Sequence, residues 1–119
     1  ASDDTNGWDQ TKCANYYNSS QQKISTWPVG SFPAGVSWCG AHDMAGNVWE
    51  WCADWYGPYS ATPVTNPTGP ATGSYRVQRG GSWCYAEESV HGAFRLDGTP
   101  SGYWPGNVGF RCVSSSPGP

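Results

Sequence analysis

Leucine and isoleucine are nearly missing from this chain. Leucine occurs once, at position 96, and isoleucine once, at position 24. That scarcity excludes an ordinary helix bundle and a parallel sheet of Val/Ile-rich strands. Charge is scarce as well, at 13% of residues. The 6 Lys and Arg are scattered, only Arg76 and Arg79 standing close together, and the formal net charge is −3. Nucleic acids and anionic membranes are recognised by clustered cations, so neither is an expected partner. No apolar run approaches the length of a membrane span. A P-loop, a dinucleotide fingerprint and a Ser/His/Asp motif are all missing.

What the chain has in quantity is 8 Trp, 7 Tyr, 16 Gly and 10 Pro within 119 residues. This mixture predicts one compact domain of loops and short strands, in which large aromatics supply most of the buried area. Cysteines stand at 13, 39, 52, 84 and 112, and no pair has CxxC spacing. A zinc knuckle and a thioredoxin-like motif are therefore excluded. Five cysteines in a short, weakly charged chain suit an oxidising, extracellular or periplasmic setting. Two disulfides with one cysteine left over are expected, and the pairing stays open.

Read in order, residues 1–26 are polar loop with loosely ordered ends at 1–12 and 114–119. Residues 27–42 alternate Pro/Gly breaks with aromatics, the mark of ordered irregular chain. Residues 57–75 hold 4 Pro and 3 Gly and read as a surface loop inside one domain. RVQRGGSW at 76–83 predicts a strand ending in a Gly-Gly turn, and Ala93–Arg95 a short strand. NVGFRCV at 107–113 predicts a last strand with Val108, Phe110 and Cys112 on one face.

The most informative stretch is DMAGNVWEWCADWY, residues 43–56. Asp43 and Glu50 would share one face of a helix, but Gly46-Asn47 between them is a turn signal. Two structures remain open. One is a capped helix start with buried tryptophans. The other is a turn that gathers both carboxylates and the intervening carbonyls around a hard cation such as calcium.

The 43–56 block, RVQRGGSW at 76–83 and NVGFRCV at 107–113, with PVGSFPAG at 28–35 leading in, resemble the formylglycine-generating enzyme (sulfatase-modifying factor) family. The resemblance runs from 15 to 113 and covers the C-terminal half of the family's domain. It implies an α+β, mostly irregular fold, the formylglycine-generating-enzyme-like variant of the C-type lectin fold, with short antiparallel strands and long ordered loops. It also implies a longer parent domain, a partner supplying the other half, or a reduced version of the domain; a half domain would expose aromatic surface.

The same resemblance implies calcium held by the Asp43 side chain, the Gly46 and Val48 carbonyls and the Glu50 side chain. A second family calcium site maps to Asn15 and Tyr16, where its later acid falls near Gln21, an amide. The family's oxidase holds copper with two cysteines, and the matching positions are Tyr85 and Val90. Neither is a soft ligand, so the expected protein is a non-catalytic, calcium-stabilised binding or structural module. A copper-dependent oxidase acting on a substrate cysteine is the alternative. Cys84 is assigned to a disulfide, with Cys52 as the suggested partner, or to a free or metal-binding thiol. His42 and His91 are the only histidines, too few for the three-histidine iron site of a related sulfoxide synthase. Variable members of the superfamily contact ligands through the segment matching Ser82–Val108. This implies Trp83, Cys84, Tyr85, Tyr103 and Trp104 as contacts to a protein or other extracellular ligand. Arg79, Arg95 and Arg111 are expected to bond backbone carbonyls.

Overall fold

The computed structural model describes residues 9, 11–16, 25–99 and 106–114. Its centre is a four-stranded sheet in the order β3-β2-β1-β4. The strands are β1 (Trp49–Trp55), β2 (Arg76–Arg79), β3 (Leu96–Gly98) and β4 (Val108–Gly109). Two 3-10 turns, Pro33–Gly35 and Glu87–Val90, lie in the loops. The rest of the described chain is irregular, as the Gly/Pro content requires.

β1 and β2 pair antiparallel, with Glu50 opposite Arg79 and Trp51 opposite Gln78. The register slips between Trp51 and Trp55, so β1 carries extra residues there and bends. β2 and β3 also run antiparallel. The expectation of antiparallel strands throughout fails at β4, which pairs parallel to β1 through Trp49–Val108 and Glu50–Gly109. The last strand is also shorter than the alternation at 107–113 implied. Phe110, Cys112 and Val113 are exposed, because Arg111 turns back to bond the loop before β1. The strand expected at Ala93–Arg95 forms three residues later, at Leu96–Gly98. Gly80 and Gly81 stop β2 at φ of 90° and 73°, a left-handed pair that L side chains adopt poorly.

Residues 43–48 form a curled turn, not a helix, and β1 follows directly. Asp43, Gly46 and Asn47 all have positive φ, at 55°, 77° and 66°. Gly46 sits against the Ala14 backbone so closely that a Cβ would lie 2.1 Å from the Ala14 oxygen. Asn47 joins four segments. Its N–H donates to Ala14 O at 2.8 Å, and its carbonyl accepts from Trp83 N–H at 3.0 Å. Its side-chain amide pairs with both backbone groups of Trp27, accepting from N–H at 2.9 Å and donating to the carbonyl at 3.2 Å.

The core is narrower than the aromatic content predicts. Trp49 is 1% exposed, with Tyr85 edge-on at 5.3 Å and Phe94 at 6.0 Å between ring centroids. Val77, Ala14 and Cys13 complete the buried apolar set among the described residues. Trp27, Trp51, Trp55 and Trp83 are half-buried, and Trp38 is 99% exposed. Cationic and phenolic side chains cover part of this aromatic surface. Arg76 lies over Trp55 at 3.5 Å, and Arg95 over Tyr59 at 3.6 Å. Arg95 also donates to Gly57 O, and Arg79 to Gly92 O and Tyr59 Oη, which pins the 57–75 loop to the sheet. These guanidinium–carbonyl bonds agree with the role expected from the sequence.

Cys39, Cys52, Cys84 and Cys112 are thiols, and the suggested Cys52–Cys84 pair does not form. Cys52 lies on β1 with its sulfur toward Glu50 O, whereas the Cys84 sulfur meets Ser82 Oγ at 3.3 Å and Asn107 Nδ2 at 3.5 Å. The thiols are not equivalent. A hydrogen bond from Ser37 lowers the Cys39 pKa, and burial raises that of Cys52.

Two experiments check this account. Trp49→Ala lowers the unfolding free energy in urea by about 3–5 kcal/mol and Asn47→Asp by about 2–4 kcal/mol, since a carboxylate cannot donate to Trp27 O. A loss below about 1 kcal/mol in either variant contradicts the hub and core described here. At mildly alkaline pH, iodoacetamide labels Cys39 well before Cys52, because exposure and the lowered pKa both favour its thiolate. Mass spectrometry showing equal or reversed rates would refute that ordering.

Candidate functional site

The curled turn at 43–48 and the start of β1 bring the predicted acids together. Asp43, Val48 and Glu50 line one cleft of about 310 Å³, along with Val29, Asn47 and Phe110. Gly46 does not line it. Its N–H points to Gly80 O, and its carbonyl accepts from Val48 N–H at 2.9 Å. Asp43 is oriented by the 28–35 segment, where Gly30 N–H donates to Oδ2 at 2.8 Å.

Arg111 completes the cleft. Its Nε donates to Glu50 Oε2 at 2.7 Å, and one terminal nitrogen bonds Oε1, giving a bidentate fork. The other terminal nitrogen donates to His42 O at 3.0 Å, and the fork nitrogen also reaches Asp43 O at 3.1 Å. The hydrogen bond to Glu50 holds the Arg111 pKa above its ordinary value. One guanidinium thus fastens the β4 exit to both ends of the acidic turn. Sequence reading missed this pairing and the hub role of Asn47. The GFR and GN motifs were the available signals, but neither names its partner.

The donor chemistry suits a hard cation in part. Two carboxylates line the same cleft, and a carboxylate has lone pairs left after accepting one fork. A cation here would share Glu50 with Arg111. The second predicted site is elsewhere: Asn15 is fully buried, Tyr16 is exposed with its N–H on Tyr85 O, and neither lines this cleft. Gln21 lies outside the described residues. Among the described residues, no group of three His, Cys, Asp or Glu forms a metal cluster.

The suggested ligand-contacting residues follow the Gly-Gly turn. Trp83 is half-buried, and its indole N–H is shielded from solvent without an acceptor. Cys84 is half-buried beside Ser82 and Asn107. The Tyr85 ring packs on Trp49, and Val90 ends the second 3-10 turn against Gly81. Tyr103 and Trp104 lie outside the described residues. His42 and His91 line different clefts. No helix among the described residues is long and apolar enough to cross a membrane.

Comparison with known proteins establishes the family. The family model for the sulfatase-modifying factor enzyme 1-like domain matches residues 1–116. The chain is 42% identical over 99 residues to the formylglycine-generating enzyme of Streptomyces coelicolor, covering 78% of this chain and 30% of the relative. It is 38% identical over 96 residues to the mouse (Mus musculus) enzyme, covering 75% and 24%. It is also 44% identical over 104 residues to the serine/threonine-protein kinase pkn1 of Chlamydia caviae, covering 84% and 16%. The chain therefore spans less than a third of the length of these relatives. Among solved structures, Treponema denticola variable protein 1 superposes with a TM-score of 0.73 at 31% identity, over 84% of this chain and 34% of that one. The matched model, the shared fold and the three sequence blocks agree: this chain belongs to the formylglycine-generating enzyme (sulfatase-modifying factor) family.

Proposed function

We propose that this chain is a non-catalytic binding or structural module, stabilised by calcium at the Asp43–Glu50 turn. The observation that carries the reading is the pair of side chains at the positions where the family's oxidase keeps its copper cysteines. Tyr85 packs edge-on against Trp49, and Val90 stands against Gly81. Both belong to the packing, and neither offers a soft sulfur ligand to Cu(I).

The binding surface in this reading is the segment Ser82–Val108, with Trp83, Cys84, Tyr103 and Trp104 as contacts. The unpaired indole N–H of Trp83 supports it, because a shielded donor gains from an acceptor on a ligand. Tyr85 contributes by fixing the turn on Trp49. The likeness to a solved variable protein also supports a recognition role. The partner is a protein or other extracellular ligand, within a larger assembly or with the remainder of the family domain.

Calcium, when bound, supplies positive charge that gathers the oxygens of a turn with three left-handed residues. Asp43 and Glu50 would hold it through carboxylates and Val48 through its carbonyl, whereas the Gly46 carbonyl, expected as a fourth ligand, accepts from Val48 N–H and does not line the cleft. Structural calcium stabilises by mass action, by about 3 kcal/mol at a hundredfold excess over Kd.

Two measurements test the proposal. A chelator lowers the melting temperature of the wild type by several degrees. In Asp43→Ala, which leaves the Glu50–Arg111 fork in place, the chelator has no effect. Unchanged wild-type melting on chelation removes calcium from the account. For the catalytic question, the reduced protein with Cu(I) and a cysteine-containing peptide consumes no oxygen and forms no aldehyde. Aldehyde formation would instead establish the copper-dependent oxidase.

A further inference from the structure

A second cleft, sharing Glu50 and Arg111 with the first, lies between β1, the Gly80 turn and Val90–Gly92. It encloses about 470 Å³ and is lined by Met44, Trp51, Cys52, Arg79, His91 and the Glu50–Arg111 pair, among others. That volume falls within the range of small-molecule sites, which combine apolar walls with a few convergent polar groups.

The charges do not cancel. Glu50 and Arg111 neutralise one another through their fork. Arg79 does not meet a carboxylate. Its bonds go to Gly92 O at 2.8 Å, Phe94 O at 3.4 Å and Tyr59 Oη at 3.2 Å, all neutral acceptors. The ion pairs seen among the described residues, Lys12–Asp9 and Arg111–Glu50, leave it out. His91 Nε2 is shielded from solvent and has no hydrogen-bond partner. Burial keeps the Cys52 thiol protonated, so it adds no negative charge to this wall. One uncompensated cation and one unpaired polar nitrogen therefore line a cleft that also has Met44 and Trp51 in its walls.

We propose that this cleft binds a small organic monoanion, a carboxylate carrying a compact apolar body. Arg79 supplies the charge, His91 Nε2 a hydrogen bond, and Met44 and Trp51 the contact with the body. An inorganic dianion fits less well, since it would gain only one free cation and would face apolar walls. The proposal does not require calcium, although the cleft shares Glu50 and Arg111 with the calcium turn and takes His91 from the Ser82–Val108 segment.

The test titrates the wild-type chain calorimetrically with 3-phenylpropionate, its neutral amide and 3-phenylpropylamine. The carboxylate is expected to bind at one site, at least tenfold tighter than the amide, and the amine not at all. His91→Phe is expected to weaken the carboxylate severalfold. Met44→Trp, at a half-exposed position on the cleft wall, is expected to abolish binding. Arg79→Gln brings acid and amide to equal affinity where it folds; the wild-type comparison decides if it does not. Equal wild-type affinity for acid and amide overturns the proposal. So do absence of binding, displacement of the acid by equimolar inorganic phosphate, and full affinity in Met44→Trp.

Discussion

Asn47 is the residue through which the loops of this protein are joined to its sheet. A chain with so little regular structure must still satisfy its backbone polar groups. Asn47 meets that demand by using its side-chain amide as a second peptide group, pairing with both backbone groups of Trp27. Its own N–H and carbonyl remain free for Ala14 and Trp83. This works only in the left-handed conformation, which asparagine tolerates better than most residues, and only because Gly46 lets the Ala14 backbone approach. Four segments distant in sequence are thereby set around the start of β1.

The arginines extend the same logic. Arg79 and Arg95 bond carbonyls in loops that have no ladder partner, and Arg111 does so while neutralising Glu50. Planar guanidinium groups suit this because their donors are held in a fixed fork, and they also cover aromatic faces. The fold thus substitutes side-chain bonds for strands, and its small sheet aligns the acidic turn and the turn after β2. Trp49 alone among the described tryptophans is fully buried, so one indole carries much of the apolar stability.

Much of this was legible in advance. The loop-rich, short-strand character, the strand at 76–79 with its Gly-Gly stop and the exposed 57–75 loop follow from local turn chemistry and composition. The 43–56 block was legible as a family signature, but its residues alone left helix and turn open. The structure decides for the turn because Gly46-Asn47 makes its bonds outward, to Gly80, Ala14 and Trp27, and not along a helix. The final strand was overestimated, since alternation at 107–113 says nothing of the Arg111 side chain that pulls the chain back.

What the sequence by itself determined is the family and the mostly irregular fold. Those are properties of residue types at given spacings. Only the tertiary structure decided that Glu50 is shared with Arg111, that Cys52 and Cys84 stand apart, and that Arg79 and His91 face one cleft. Each of these joins residues distant along the chain, and such partners are set by where the backbone crosses itself in three dimensions. Spacing along the sequence holds no record of that crossing.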